Sequence, residues 1–204
     1  ISVLTFAVWR RIIGGRSWLE WRRHVAKSVL LTGGTGFLGS YIAQLLLRRG
    51  HRVALLARPS ADRSARDRVF ELFRRWLPQE MLEERLLIIE GDIDRPLAGV
   101  SDETIARVRG TFDAVIHCAA LAKFASQGDR LQRSNVEGTV EMCRLARAIG
   151  VREFHHVGTA YVAGTRQGIV RENELDVGQE FHNDYERSKC EAEKAVGVEL
   201  SDGA

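Results

Sequence analysis

The chain has 204 residues, of which 45% are hydrophobic and 28% charged, a balance typical of one soluble globular domain with a sizeable core. Its three cysteines form no C-x-x-C pair, which argues against a disulfide scaffold or a zinc site and favours a reducing, cytoplasmic compartment. The net charge of +3 is uneven, because residues 1–27 hold six Lys or Arg residues against one Glu. The remainder is slightly acidic, so no nucleic-acid partner is predicted.

Residues 1–27 form a basic arm that also contains three of the four tryptophans, and residues 28–204 form the predicted domain. The apolar run from Ile1 to Trp9 is too short to cross a bilayer. Three interpretations stay open: an amphipathic anchor that contacts a membrane surface, the end of a preceding domain or membrane segment, and a helical extension packed on the domain. Because the sequence begins with Ile1 instead of Met, we expect further residues upstream.

Apolar runs and amphipathic stretches alternate along the rest of the chain. Strands are predicted at Ser28–Thr32, Arg52–Ala57, Leu86–Glu90, Ala114–Cys118 and Glu153–Val157. Helices are predicted at 37–46, 61–76, 102–109, 131–148 and 185–196, with a short helical turn that opens at Pro78. The alternation predicts an α/β fold, a doubly wound parallel sheet of the Rossmann type with right-handed crossovers. No sixth strand follows, so we expect the fold to stop before its last strands and a substrate subdomain.

A glycine-rich turn after the first strand predicts a dinucleotide site. The run Thr32-Gly33-Gly34-Thr35-Gly36-Phe37-Leu38-Gly39 has the spacing G-x-x-G-x-x-G between a strand and an amphipathic helix. Gly33 permits a sharp turn, Gly36 a close approach of the backbone to a pyrophosphate, and Gly39 close packing of helix on strand. The N–H groups and the positive dipole end of the helix would then bind the phosphates.

The end of the second strand indicates which dinucleotide is preferred. NAD sites place an acidic residue there, on the ribose 2′-hydroxyl, whereas this strand ends without one and Arg58 follows. An arginine binds a 2′-phosphate by donating two parallel hydrogen bonds to it, and Arg63 or Arg66 could assist. We therefore expect NADP(H), with NAD(H) as the alternative and a solvated Arg58 as the simplest competing interpretation.

A tyrosine and a lysine four residues apart predict proton chemistry. Tyr185 and Lys189 lie on one face of a predicted helix, where the ammonium would lower the pKa of the phenol towards neutrality. Such a phenol can donate or accept a proton. Thr159 ends the fifth strand, at the sheet edge where ligands bind in open α/β folds, and its hydroxyl can hydrogen-bond a reacting oxygen.

In this order, these motifs resemble the extended short-chain dehydrogenases/reductases over about residues 27–197. The resemblance implies a catalytic set of four residues: Thr159, Tyr185, Lys189 and Asn135. It also implies a set that lines the cofactor beyond the glycine turn: Asp92 and Ile93 beside the adenine, and Cys118, Ala119 and Ala120 after the fourth strand. One departure is Gly158, which stands where the family usually has serine.

Three stretches resemble the male-sterility or thioester-reductase branch, which includes fatty acyl-CoA reductases: Gly91–Ser101, Thr159–Gly164 and Asn183–Lys189. The resemblance implies NADPH-dependent reduction of an acyl thioester, bound to CoA or a carrier protein, to an aldehyde or alcohol. It also implies homodimerisation, and it leads us to expect little turnover from these 204 residues alone. Two other hypotheses stay open: an NAD-dependent nucleotide-sugar epimerase or dehydratase, and a dinucleotide-binding sensor or scaffold without catalysis.

The remaining polar candidates carry weaker patterns. His155 and His156 are interpreted as structural residues of the fifth strand, and no partner is predicted for His51 or His182. Four further residues have no assigned chemistry: Lys123 and Phe124, which lie near the substrate or on the surface, and Asp94 and Glu141, which suggest no metal site. Residues 165–184 form a long polar stretch that we expect to cover the substrate.

Overall fold

A computed structural model of the chain describes residues 26–122 and 129–201. All but the last two residues of the basic arm lie outside this part, as do Lys123 and Phe124. The interpretations of the arm and of these two residues therefore stay predictions.

Five strands form one parallel sheet in the order β3-β2-β1-β4-β5. They are β1 (Ser28–Thr32), β2 (Arg52–Ala57), β3 (Leu86–Glu90), β4 (Ala114–His117) and β5 (Glu153–His156). The predicted α/β class and all five strands are confirmed, although β4 and β5 each end one residue earlier than expected. At the centre Thr32 pairs with Leu56 on one side and His117 on the other, so the carboxyl ends of neighbouring strands meet at one edge.

Helices connect the strands: α1 (Phe37–Arg48), α2 (Ala65–Phe73), α3 (Gln79–Arg85), α4 (Asp102–Val108), α5 (Gly138–Ala148) and α6 (Asp184–Ser201). The prediction of a helix over 61–76 is too long at both ends. Its start is wrong because Ser60 bonds the Arg63 carbonyl in a turn, after which Ser64 caps α2. The predicted helix over 131–148 is instead a π-helical segment, Gln132–Glu137, followed by α5. Among the described residues, no helix combines the length and apolarity needed to cross a membrane.

The core has two layers because side chains alternate across the strands. Leu31 and Leu55 face the layer formed with α1, α2 and α3, which includes the fully buried Phe73. Leu30, one residue earlier, faces the opposite layer formed with α4 and α5, which includes Met142. The sheet is therefore covered on both faces, and its carboxyl edge is left for a site.

The helices differ in how they begin. Ser64 and Ser101 cap α2 and α4 by accepting the backbone N–H groups of Asp67 and Thr104. By contrast, Gly36 precedes α1 and offers no side-chain hydrogen bond, and the first turn of α1 contains no acidic residue. The first N–H groups of α1 therefore have no cap from the described side chains, which favours an anion there.

Candidate functional site

A buried hydrogen-bond network joins the carboxyl ends of β1 and β4. The Thr32 hydroxyl lies 2.8 Å from His117 Nδ1 and accepts the Ala119 N–H at 3.1 Å. On its other side, His117 Nε2 lies 3.1 Å from the Thr139 hydroxyl. The network fixes the loop after β4, which carries Cys118–Ala120, beside the turn that leaves β1. This position is the switch point of the sheet, where ligands of such folds bind.

The glycine turn has the close contacts that the sequence predicts. Gly33 has φ of +72°, and a Cβ there would lie 2.7 Å from the Ala119 nitrogen. A Cβ on Gly39 would lie only 2.2 Å from the Gly33 carbonyl oxygen. The segment from Thr35 to Phe37 is exposed at the mouth of the site, and Leu38 is half-buried. Only glycine at these two positions permits the turn, and the turn presents the uncapped end of α1 to a ligand.

A polar cleft of about 420 Å³ lies next to this turn, at the ends of β1 and β2. Seven residues line it: Thr35, Arg58, Pro59, Ser60, Asp62, Arg63 and Arg68. Arg58 is two-thirds exposed, with its Nη1 3.8 Å from Asp92 Oδ1. Arg68 donates to the Arg58 carbonyl at 2.6 Å. Three guanidinium groups and two hydroxyls around this cleft, beside the Asp62 carboxylate, can bind a phosphate.

Arg66, one of the two arginines expected to assist Arg58, lies outside the cleft, and Arg68 lines it instead. Arg66 packs over the Phe70 ring, 4.2 Å from its centroid, and does not line the cleft. Sequence reasoning missed Arg68 because the predicted helix began four residues too early, which gave the arginines no reliable helical phase. Arg63 lines the cleft as expected, although it also pairs with Glu71 at 2.5 Å.

The loop after β3, which carries Asp92 and Ile93, contains two residues with an unusual backbone conformation. Leu97 and Ala98 have φ of +49° and +54°, in the left-handed region that residues with a Cβ rarely adopt. Two hydrogen bonds offset this strain: the Asp92 N–H donates to the Ala98 carbonyl at 2.7 Å, and the Leu97 N–H donates to Glu141 at 2.7 Å. Glu141 thus positions this loop, a role the sequence did not suggest.

Thr159 and Tyr185 come together at the end of β5. Their side chains are hydrogen-bonded to each other, and the Thr159 hydroxyl also accepts the Tyr161 N–H at 3.3 Å. Burial raises the pKa of Tyr185, and the hydrogen bond from Thr159 opposes this shift. A hydroxyl pair at the carboxyl edge of the sheet can bind one oxygen atom and supply it with a proton.

Lys189 does not lower the pKa of Tyr185, contrary to expectation. The residue is 3% exposed, and its Nζ donates to His156 Nε2 at 3.1 Å and to the Val157 carbonyl at 2.9 Å. The ammonium therefore points towards β5 and not towards the phenol one turn earlier. Burial lowers the pKa of Lys189 itself to about 8.

Asn135 braces the site from the π-helical segment. It is 1% exposed, its Oδ1 accepts the Leu121 N–H at 2.7 Å, and its Nδ2 donates to the Leu121 carbonyl and to the Ser188 hydroxyl. The amide therefore joins the loop after β4 to α6, beside Lys189. These contacts hold the local geometry around Lys189, and a catalytic role of Asn135 stays a prediction. Ser188, in the Tyr-Lys motif, was not assigned a role.

The structure gives different surroundings to the remaining polar residues that the sequence analysis considered. His155 bonds Glu153 at 3.0 Å, as suits a structural residue, but His156 contacts Lys189 and so belongs to the site. His51 Nδ1, for which no partner was predicted, accepts the Lys27 N–H at 3.0 Å. In the 165–184 stretch, Gln179 bonds the carbonyls of Val162 and Leu175, so this loop is tied to the segment that follows Thr159.

Comparisons with known proteins agree with this geometry. Residues 31–203 match a family model described as male sterility protein. The chain is 32% identical to the isonitrile lipopeptide synthase of Mycobacterium tuberculosis, over 74% of this chain and 6% of that protein. It is also 29% identical to fatty acyl-CoA reductase 1 of Mus musculus, over 70% of this chain and 30% of that protein.

One solved structure is similar to this chain in its fold. The terminal R domain from the myxalamid PKS-NRPS biosynthetic pathway is 32% identical, with a TM-score of 0.77 over 88% of this chain and 47% of that chain. The present chain therefore spans about half of that domain and less than a third of the two curated relatives.

Proposed function

Because the chain belongs to the male sterility family, in the thioester-reductase branch of the extended short-chain dehydrogenases/reductases, we propose that it forms the cofactor-binding and catalytic part of an NADPH-dependent acyl-thioester reductase. The observation that carries the proposal is the hydrogen-bonded pair of Thr159 and Tyr185, at the edge of the sheet where the glycine turn also lies. The names of the relatives support a thioester on CoA or on a carrier domain as substrate.

The described residues fit a nicotinamide dinucleotide. The uncapped N-terminus of α1 and the turn around Gly33 and Gly39 would hold the pyrophosphate, and Asp92 with Ile93 would flank the adenine. The loop from Cys118 to Ala120 lines the central part of the same edge; burial raises the pKa of the Cys118 thiol, which therefore stays neutral. When bound, the dinucleotide supplies the hydride, and the protein supplies binding, orientation and protons.

The chain's own residues then act on the substrate oxygen. Thr159 would hold the acyl oxygen by a hydrogen bond, and Tyr185 would donate its proton as negative charge develops there. A pKa raised by burial keeps the Tyr185 phenol protonated and ready to donate. Lys189 would hold the nicotinamide ribose, and Asn135 would hold α6 in place through Ser188, whose hydroxyl donates to the Tyr185 carbonyl. Loss of the thiol from the resulting hemithioacetal gives an aldehyde, and a second reduction gives an alcohol.

The catalytic proposal is tested by Tyr185→Phe in the full-length protein. We expect NADPH oxidation driven by an acyl thioester to fall about 10²- to 10⁴-fold, because the proton donor is lost. Affinity for NADPH, measured by fluorescence titration, should stay nearly unchanged. Tyr41→Phe, on the exposed face of α1, is the matched control. Full turnover by Tyr185→Phe would contradict the assignment.

Cofactor preference is tested by titrating NADPH and NADH side by side against the wild type, Arg58→Ala and Arg66→Ala. We expect the wild type to prefer NADPH. Arg58→Ala should weaken NADPH binding about tenfold or more, because the 2′-phosphate contact is removed. It should change NADH binding much less, since the other charged contact of Arg58, with Asp92 at 3.8 Å, is solvent-exposed and weak. Arg66, held over Phe70, is the control and should alter neither affinity. Tight NADH binding without preference would favour the epimerase or dehydratase alternative.

A further inference from the structure

Gly158 leaves a space that a side chain from another element fills. The residue stands between the end of β5 and Thr159, where the family usually has serine. A Cβ built on Gly158 would lie 2.0 Å from Glu193 Oε1 and 2.9 Å from Glu193 Cδ. Real Cβ atoms do not approach other atoms so closely, so the Glu193 carboxylate occupies the place of a side chain at position 158.

The carboxylate of Glu193 contacts the catalytic segment directly. It accepts a hydrogen bond from the backbone N–H of Thr159, and it faces Lys189 one turn earlier on α6. Glu193 is partly buried, which raises its pKa, whereas Lys189 and the Thr159 N–H both lower it. Lys189 and the Thr159 N–H, which favour the charged form of Glu193, therefore both belong to the candidate catalytic site.

The other described neighbours of Lys189 are an imidazole ring, a backbone carbonyl and a thiol. His156 on β5 and the Val157 carbonyl just after this strand accept hydrogen bonds from Lys189 Nζ. Burial lowers the pKa of His156 to about 2, so this ring is neutral. On the loop after β4, burial raises the pKa of the Cys118 thiol. Glu193 is the carboxylate that raises the pKa of Lys189 against the effect of burial.

We propose that Glu193 is a positioning residue of this site, with Gly158 as its steric partner: the carboxylate packs against the backbone that carries Thr159 and supplies the negative charge that faces Lys189. The inference rests on the proposed function, because the roles of Thr159 and Lys189 come from it. The carboxylate of Glu193, which comes from α6, lies where a side chain at position 158 would begin.

The electrostatic part is tested by titrating the lysine side chains. These 204 residues contain four lysines, so the spectrum of the lysine-labelled 204-residue chain is simple, and Lys189→Arg assigns the signal. Glu193→Gln keeps the shape and removes the charge, so we expect the apparent pKa of Lys189 to fall by about one pH unit. Glu191→Gln, two residues earlier on α6, is the control and should leave it unchanged. An unchanged titration in Glu193→Gln would overturn the inference.

The steric part is tested by a double-mutant cycle on thermal unfolding. Gly158→Ala should displace the Glu193 carboxylate and lower the unfolding temperature, and the same change in Glu193→Ala should cost less because the opposing atoms are gone. Losses that simply add would overturn the pairing. Both tests are independent of turnover, so a protein that fails to reduce thioesters would contradict the proposed function and leave the Gly158–Glu193 pairing to be judged by its own data.

Discussion

Two histidines at the carboxyl edge of the sheet, the buried His117 and the half-buried His156, bind protons weakly. His117 is 1% exposed, and burial lowers its pKa to about 3, while burial lowers the pKa of His156 to about 2. Their ring centroids lie 5.5 Å apart with the planes tilted by 39°, and Lys189 lies beside them, so a proton on either ring meets both desolvation and like charge. Both rings are therefore neutral in the folded protein over the usual pH range.

We expect the free energy of unfolding to fall as the pH drops from 6.5 to 5. The pKa of each histidine is lower in the folded state, so the unfolded chain binds more protons below about pH 6.5, and stability present above that pH is lost. Two such groups give a slope of up to about 2.7 kcal/mol per pH unit. Urea unfolding at each pH measures it. The exposed His182→Asn should keep the slope, whereas His117→Asn should reduce it, and an unchanged slope in His117→Asn would contradict this account.

Single residues were predictable where the backbone conformation requires a particular residue type. Gly33 and Gly39 follow from the turn they must make, and Thr159 and Tyr185 do meet at the carboxyl edge. The direction of the Lys189 side chain could not be foreseen, because it depends on His156 and the Val157 carbonyl of a different element. Arg68 was missed because arginines occur throughout this region and their spacing does not reveal which face of α2 they share.

At the scale of elements, the strands were predictable to within one residue, because each is an apolar run bounded by turn residues. The π-helical segment was not, since it depends on tertiary hydrogen bonds of Asn135 to Leu121 and Ser188. The left-handed pair Leu97–Ala98 was not predictable for the same reason. Its support comes from Glu141 on α5, 44 residues away in the sequence.

Two helix glycines should respond in opposite ways to an added methyl group. Gly39→Ala in α1 places Cβ 2.2 Å from the Gly33 carbonyl oxygen, a backbone atom that cannot move without opening the turn. We expect a loss of about 1–3 kcal/mol and weaker dinucleotide binding. In α6, no described atom lies within 4 Å of a Cβ on Gly197, so Gly197→Ala should stabilise the protein by about 0.5–1 kcal/mol.

Thermal and urea unfolding measure both changes, and isothermal titration measures dinucleotide affinity. Equal effects at the two positions would mean that general helix propensity, and not the contact between Gly39 and Gly33, decides the outcome. The pair is matched because both positions lie inside helices and neither has a positive φ.

At the scale of the whole molecule, the class and strand order follow from the alternation of elements and the right-handed crossover rule. The sheet order β3-β2-β1-β4-β5 places the ends of β1 and β4 side by side at its centre. Residues that are far apart in the sequence, from Gly33 to Tyr185, therefore converge on one edge. Which thioester reaches that edge depends on contacts that no pattern in these residues specifies.

The uncapped start of α1 has a consequence for how robust the protein is in a cell. If a dinucleotide binds there as proposed, the ligand completes a helix that the polypeptide leaves unfinished. Its binding free energy then adds to the stability of the fold, about 2.7 kcal/mol when the free ligand is at one hundred times its Kd. Survival of this protein against heat and proteases would thus track the supply of reduced nucleotide, so that metabolic state would govern its lifetime as well as its turnover.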